Sequence, residues 1–160
     1  MKCEIFKDRL EIERMIEDII LNDTMGFVDY GNIRIIEKEG VLRLAFKYSC
    51  KKNEPEFIDT IINAIAQISS SKQAIKGCVL ILQTKDTKGS IDVNDVSVLW
   101  NKIGAILGER VYNTFEFATK ECLPEDEFII NLFFSFAKSD EDMRNDSSHN
   151  INYGVDSTWH

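Results

Sequence analysis

Residues 128–136 read FIINLFFSF and are apolar at nearly every position. A strand that is apolar on both faces has to be covered on both faces, whereas an edge or half-exposed strand alternates apolar and polar residues. We therefore predict that this segment is a strand in the middle of a sheet. A chain with such a strand needs neighbouring strands on both sides and other elements packed above and below.

Three further segments have strand patterns. Residues 41–48 alternate, with Leu42, Leu44, Phe46 and Tyr48 on one face, which predicts a half-buried strand. Residues 78–82, CVLIL, form a short apolar run that is typical of a strand buried on both faces. Residues 110–118 alternate again, so four strands are expected in all.

Helical spacing separates these strands. Residues 4–21 predict a helix whose apolar face begins at Ile12, and a short helix is expected over residues 33–39. Two more helices are expected over residues 53–68 and 92–107. Asp92 would cap the last of these helices, and Gly104 within it would allow a neighbouring element to approach closely. The expected order is helix, short helix, then β-α-β-α-β-β.

Composition suggests a single α+β domain with extensions at both ends. At 160 residues and 44% hydrophobic content, the chain can bury a full core. We expect a lead-in helix over residues 1–24, an α+β domain over residues 25–137, and a flexible acidic tail over residues 138–160. The tail is rich in Ser, Asn and Asp.

Charge and cysteine usage exclude several classes of function. The formal net charge is -8, and no basic patch is visible, so we expect no nucleic-acid partner. No stretch approaches the roughly 18 apolar residues of a membrane span, so we expect no membrane insertion. The four cysteines have no zinc spacing and no disulfide pattern, which favours a reduced, cytoplasmic protein.

Histidines and glycines give no sign of a metal or cofactor site. The two histidines, His149 and His160, lie in the expected tail, where nothing rigid would orient a base or a metal ligand. The eight glycines form no cluster of the kind that wraps backbone amides around phosphate. We therefore expect no cofactor, no metal and no complete enzyme site.

Residues 25–39, MGFVDYGNIRIIEKE, are the stretch that most suggests a functional surface. A glycine-rich turn is followed by an acid and an amide three residues apart, Asp29 and Asn32, and then by a short helix. Helix capping alone would explain Asp29, and a solvated helix position would explain Asn32. A likeness to a known family gives these residues a second interpretation.

The order of elements, together with GFVDYGNIRIIEKEGVLRLAF, resembles the C-terminal half of the tubulin-like division GTPase FtsZ. In that family a long helix leads into a synergy loop, of the type N-x-D-F-A-D-V, and then into a helix and a strand. The resemblance covers residues 12–137. It implies a four-stranded mixed sheet with helices on one face, in which the last strand is inserted centrally and antiparallel to the others.

The departures from the family suggest contact without catalysis. The nucleotide-binding domain is missing from these 160 residues, and Asn32 stands where the family has its catalytic acid. An amide cannot polarise water as a carboxylate does, so the chain is expected not to be an enzyme. The resemblance then implies a stand-alone domain that contacts an FtsZ-like or other tubulin-like GTPase and caps or modulates its filament in cell division. The expected contact residues are Phe27, Val28, Asp29, Tyr30, Asn32 and Arg34.

Two alternatives remain open at this stage. The same fold type occurs in small oligomeric proteins, so the chain could be a self-associating module, a dimer or trimer, with a ligand pocket between subunits. The chain could also be a fragment of a longer FtsZ-like GTPase.

Overall fold

The computed structural model describes residues 1–70, 74–85 and 92–144, and for Val93 it describes the backbone only. Within them the chain forms five strands and four helices. Their order is β1 (Lys2–Phe6), α1 (Arg9–Asn22), α2 (Gly31–Glu39), β2 (Val41–Lys51), α3 (Phe57–Ser69), β3 (Ile75–Thr84), α4 (Val93–Leu107), β4 (Tyr112–Thr119) and β5 (Glu127–Phe136).

The strands form one mixed sheet in the order β1-β2-β5-β3-β4. β5 lies in the middle, as its apolar sequence predicts, and it is antiparallel to both neighbours, β2 and β3. β3 and β4 are parallel, and β1 is antiparallel to β2. The α+β class and the mixed sheet are confirmed, and β1 adds a fifth strand to the four that we expected.

Helices cover both faces of this sheet, whereas the resemblance implied helices on one face. The larger core lies between the sheet and α3 with α4, where Ile61, Ile65 and Leu99 meet Phe134. The second core lies between the opposite face of the sheet and the helices α1 and α2. There Ile16 of α1 and Ile36 of α2 pack against apolar residues of the sheet. β3 contributes to both cores, Leu80 to the first and Ile81 to the second, so its predicted double burial is confirmed.

The first residues of the chain differ from the expectation of a helix beginning at residue 4. Residues 4–6 belong to β1, and α1 begins only at Arg9. From Ile12 onward the expected helical face is correct, since Ile12, Met15 and Ile16 are all buried. β1 and α1 therefore join the sheet and the second core, so residues 1–24 are more than a lead-in helix.

The beginning of the expected tail folds against the sheet. Residues 140–144 form a helical turn, in which Asp142 accepts hydrogen bonds from the backbone amide and hydroxyl of Ser139. Asp142 also pairs with Arg43 of β2. The hydrogen bonds from Ser139 and the Arg43 guanidinium lower the pKa of Asp142 to about 2. Residues 145–160, the remainder of the expected tail, lie outside the described residues.

Two glycines allow elements to approach closely. A Cβ at Gly77 of β3 would lie 2.4 Å from Cγ2 of Ile36, so α2 rests directly on this strand. A Cβ at Gly40 would lie 2.3 Å from the carbonyl oxygen of Phe136. Gly104, where we expected such an approach, has nothing within 4 Å of an added Cβ, so that expectation was wrong.

Candidate functional site

Residues 25–34, which we call the contact loop, join the end of α1 to the first turn of α2. Gly26 turns the chain in the left-handed region, with φ 68°, a conformation that costs little only for glycine. The loop lies beside the carboxyl end of β4, because the backbone amides of Thr24 and Met25 both donate to the Thr119 hydroxyl, at 2.8 Å and 3.4 Å.

Asp23 fixes the loop to the sheet. Its side chain is only 8% exposed, and its two carboxylate oxygens accept hydrogen bonds from three backbone or hydroxyl groups. Oδ1 accepts from the amide and the hydroxyl of Thr119, at 3.0 Å and 3.1 Å, and Oδ2 accepts from the amide of Val28 at 2.9 Å. Burial acts to raise the pKa of Asp23, but the hydrogen bonds from Thr119, Val28 and Phe27 outweigh it and lower the pKa.

The contact residues predicted from the sequence divide into exposed and anchored ones. Phe27 is 55% exposed, and Asp29 and Arg34 are also exposed. Val28 is 5% exposed and packs in the second core, so it anchors the loop and does not lie on its surface. Tyr30 packs against the same core from the rim.

Asp29 lies one residue before the N-cap position of α2, which is Tyr30, so it does not cap the helix as the sequence predicted. Its Oδ1 accepts a hydrogen bond of 2.7 Å from the amide of Gly31, the first residue of the helix. The Arg34 guanidinium lies over the ring of Tyr30, with 5.7 Å between its Cζ and the ring centroid. Burial, and then the carboxylates of Glu17 and Glu13 on α1, raise the pKa of Tyr30. The loop therefore presents a fixed arrangement of an aromatic ring, a cation and an exposed Phe27.

Asn32 lies beside two side chains of β4, Tyr112 and Glu116. Its Oδ1 accepts a hydrogen bond of 3.0 Å from the Tyr112 hydroxyl. Its side chain also interacts with the carboxylate of Glu116, whose pKa it lowers. Asn32 is thus engaged within the fold, and it links α2 to the edge of the sheet.

Glu116 is an acidic residue of this site that sequence reasoning missed. One of its oxygens, Oε2, is inaccessible to solvent and has no hydrogen-bond partner among the described residues. Burial raises the pKa of Glu116, and the nearby carboxylates of Asp29 and Asp23 raise it further, whereas the bond from Asn32 opposes them. The signal in the sequence was one acid in an otherwise neutral strand.

Replacing Glu116 by Gln is expected to stabilise the protein at pH 7. The pKa of Glu116 is raised in the folded protein. The stability that protonated Glu116 contributes is therefore lost as the pH rises from the ordinary carboxyl pKa through the folded-state pKa. At higher pH the ionised side chain destabilises the fold. The gain should stay below about 1 kcal/mol, because the group is only partly buried. Thermal unfolding at pH 7 and pH 4 checks this. Equal melting temperatures at pH 7, or a gain that grows toward pH 4, would contradict it.

The described residues were also compared with the requirements of a metal site and of a membrane-spanning helix. Within residues 1–70, 74–85 and 92–144, no group of three His, Cys, Asp or Glu side chains could hold a metal ion. In the same residues, no helix has the length and apolar character needed to cross a membrane.

Comparisons with known proteins relate the fold to a tubulin-like structure. The sequence matches no protein-family model and no curated protein. Among solved structures, thiamine monophosphate kinase from Aquifex aeolicus has a TM-score of 0.37 at 11% identity, over 72% of this chain and 44% of that chain. A chain of the HypE–HypF complex has a TM-score of 0.34 at 11% identity, over 80% and 42%. Both scores are too low to support an argument.

A fuller overlap is found with CetZ from Methanosaeta thermophila strain DSM 6194, with a TM-score of 0.51 at 9% identity over 92% of this chain. The overlap takes in 46% of the CetZ chain, so the present chain spans about half of that protein's length. At this identity the likeness concerns the fold alone. We conclude that this chain has a fold similar to part of a tubulin-like protein.

Proposed function

We propose that this chain is a non-catalytic relative of the C-terminal domain of FtsZ, and that its contact loop binds a tubulin-like GTPase and caps or modulates the filament. The observation that best supports this proposal is the structure of the contact loop. Asp23 binds the loop to the sheet, and yet the side chain of Phe27 is 55% exposed. A clamped loop loses little conformational entropy on binding, which favours a contact role.

The similarity to CetZ supports the kind of partner. In the FtsZ family, the loop that residues 27–33 resemble meets the nucleotide face of the next subunit. A domain with this fold and this loop, but without a nucleotide-binding domain in these 160 residues, can occupy that face of a partner. Such an occupant would block the next subunit from adding.

The chemistry of Asn32 supports a role without catalysis. Its amide cannot accept a proton from water, and its Oδ1 already accepts a hydrogen bond from the Tyr112 hydroxyl. Asp29 has one oxygen committed to the amide of Gly31. Binding of this loop should therefore leave the partner's GTP unhydrolysed at the occupied end.

The first experiment adds this chain to a purified FtsZ-family GTPase from the same organism. We expect slower GTP turnover and less sedimented polymer as its concentration rises, since each capped end stops growing. Unchanged turnover and polymer at a large excess, with no detectable binding, would sink the proposal.

Replacing Phe27 by Ala tests the loop directly. An exposed aromatic at the centre of a contact is the kind of residue that dominates binding energy, so we expect at least about tenfold weaker binding to the GTPase. The matched control is Leu10→Ala, which removes a side chain that is 60% exposed. Leu10 lies about 18 Å along α1 from the helix end that leads into the loop. Equal effects of the two substitutions would contradict a contact centred on Phe27.

A further inference from the structure

We propose that the binding surface of the contact loop continues onto β4, from Phe27 through Met25 to Phe117, and that it fits a partner surface whose apolar centre is edged by lysine or arginine side chains. Because the partner is the protein that the contact loop binds, this proposal rests on the proposed function. Phe27 then acts together with one residue of the same loop and one residue of the sheet.

The segment before Phe27 lies directly on the carboxyl end of β4. The amide of Thr119 donates to Oδ1 of Asp23 at 3.0 Å, and the Thr119 hydroxyl accepts from the amide of Met25 at 3.4 Å. Because side chains alternate along a strand, Phe117 and Thr119 share one face of β4. Met25 and Phe117 are therefore neighbours at this corner of the sheet, each beside Thr119.

The three side chains of this surface are apolar, and each is more than half exposed. Met25 is 52% exposed, Phe27 is 55% exposed and Phe117 is 52% exposed. Single exposed apolar residues are common on protein surfaces, whereas several side by side mark a site of interaction. The corner where the contact loop meets β4 is such a site.

The surface is held in shape by what lies beneath it. Val28, which follows Phe27, is 5% exposed and packs in the second core. On β4, the ring of Phe117 packs edge-on against Phe115 with 4.7 Å between centroids, and Phe115 meets Trp100 of α4 at 5.7 Å. Groups that are ordered before binding lose little conformational entropy when they bind, so these rings are suited to an interface.

The edge of this surface is mainly acidic. Residues 15–33 contain four acids and no Lys, Arg or His. Three of these acids are exposed, namely Glu17, Asp18 and Asp29. On the β4 side, Lys120 and Glu121 follow the strand, and their opposite charges offset each other. An apolar centre with a negative edge is the result.

The acids of α1 lie close to the contact loop. Burial raises the pKa of Tyr30, and the carboxylates of Glu17 and Glu13 raise it further, which places their charge near this ring. Arg34 is the cation that opposes them there, and it lies over the Tyr30 ring at 5.7 Å. Arg34 is thus engaged beside Tyr30, at the α2 end of the loop, and the acids on the α1 side face the solvent.

Charge selects the kind of occupant. Cations at the edge of a partner surface would pair with these acids and speed the encounter. A phosphate backbone or an anionic lipid surface would be repelled. A second copy presents the same acidic edge, and residues 145–160 of this chain contain no Lys or Arg, so neither carries the charge that the surface requires.

Binding of the purified GTPase to variants of the full chain tests the extent of the surface. We expect Phe117→Ala to weaken binding at least about fivefold, although residue 117 lies outside the loop. Met25→Ala should act in the same direction, and it carries the test if thermal unfolding shows that Phe117→Ala is not folded. Ile5→Ala is the matched control, because Ile5 is 56% exposed on the opposite edge strand, and its binding should be unchanged.

The acidic edge has its own test. Raising the salt concentration from about 0.05 M to about 0.5 M should weaken binding at least about tenfold, because salt screens exposed charges. Glu17→Gln should weaken binding at low salt and reduce this dependence on salt. Asp59→Asn is the control, since it removes an exposed acid from α3, on the other face of the sheet, and it should leave binding unchanged.

Two helical peptides separate this proposal from the proposed function. Both have the same leucine face, and their remaining positions are lysine in one peptide and glutamate in the other. We expect the leucine–lysine peptide to bind and to shift the NMR signals of Met25, Phe27 and Phe117 most, and the leucine–glutamate peptide not to bind.

The outcomes distinguish the two proposals. Binding of the leucine–lysine peptide at this corner, without binding of the GTPase, would refute the proposed function and support the surface. Binding of the GTPase that is unaffected by Phe117→Ala, Met25→Ala and salt would support the proposed function and overturn the surface. The surface is also overturned if the leucine–lysine peptide shifts signals elsewhere on the chain, or if neither the peptide nor the GTPase binds.

Discussion

Replacing Asp23 by Asn is expected to lower the free energy of unfolding at pH 7 by about 3 kcal/mol and to release the contact loop. The carboxylate accepts from the amide and hydroxyl of Thr119 and from the amide of Val28 in a site that is 8% exposed. An Asn side chain has one acceptor oxygen and one NH₂ group, so it would set a donor against a donor on one side. Losing a buried hydrogen bond to a charged group costs a few kcal/mol, and so does leaving a buried donor unpaired.

The effect should depend on pH in one direction. The pKa of Asp23 is lowered in the folded protein, so the stability that it contributes is complete above its ordinary value of 3.8. That contribution is lost as the pH falls through the folded pKa. Urea unfolding between pH 7 and pH 3 should therefore show the gap between Asp23→Asn and the natural sequence narrowing at the acid end.

The control for Asp23 is Asp59→Asn, an equal change of charge at an exposed position in the first turn of α3. Its effect should be within about 0.5 kcal/mol. Hydrogen exchange at the Val28 amide should also accelerate in Asp23→Asn, because this amide loses its acceptor. A gap that is small at pH 7, or that stays constant to pH 3, would show that the carboxylate does not clamp the loop.

What the sequence predicted best were elements whose pattern is set by burial on both sides. The run of residues 128–136 identifies the central strand because a strand with two apolar faces has to be covered on both. β1 was missed because it is short and lies at an edge, where apolar Ile5 is 56% exposed and Glu4 is partly buried. An edge strand takes its structure from its neighbour β2, and its own sequence gives little sign of it.

The contact loop was located from the sequence, but its supports were not. Asp23 follows a helix and precedes a turn, which is enough to explain an aspartate there, so its bonds to Thr119, 96 residues later, leave no local signal. Glu116 and Tyr112 likewise reach Asn32 only once β4 lies beside α2. Contacts between segments that are distant in the sequence depend on tertiary packing. A prediction made from one segment at a time does not include that packing.

Gly40 gives the second large expected effect, and it shows the same limit. By sequence it ends α2, and it does so in the structure, where its amide donates to the carbonyl of Ile36. Glycine is needed there for a second, steric reason. A Cβ would lie 2.3 Å from the carbonyl oxygen of Phe136, a backbone atom that no side-chain rotation can move. Gly40→Ala must therefore push the end of α2 away from β5.

We expect Gly40→Ala to cost about 2–3 kcal/mol and to lower the melting temperature by about 5–10 °C, as overpacking of a close contact does. Gly104→Ala is the matched control, because an added Cβ meets nothing within 4 Å in the interior of α4. That variant should gain about 0.5–1 kcal/mol from the helix propensity of alanine. The two substitutions add the same methyl group, so opposite signs would show that the approach of α2 to β5 requires glycine at position 40. If both variants gain stability, the end of α2 moves away from β5 without cost, and glycine is not required at position 40.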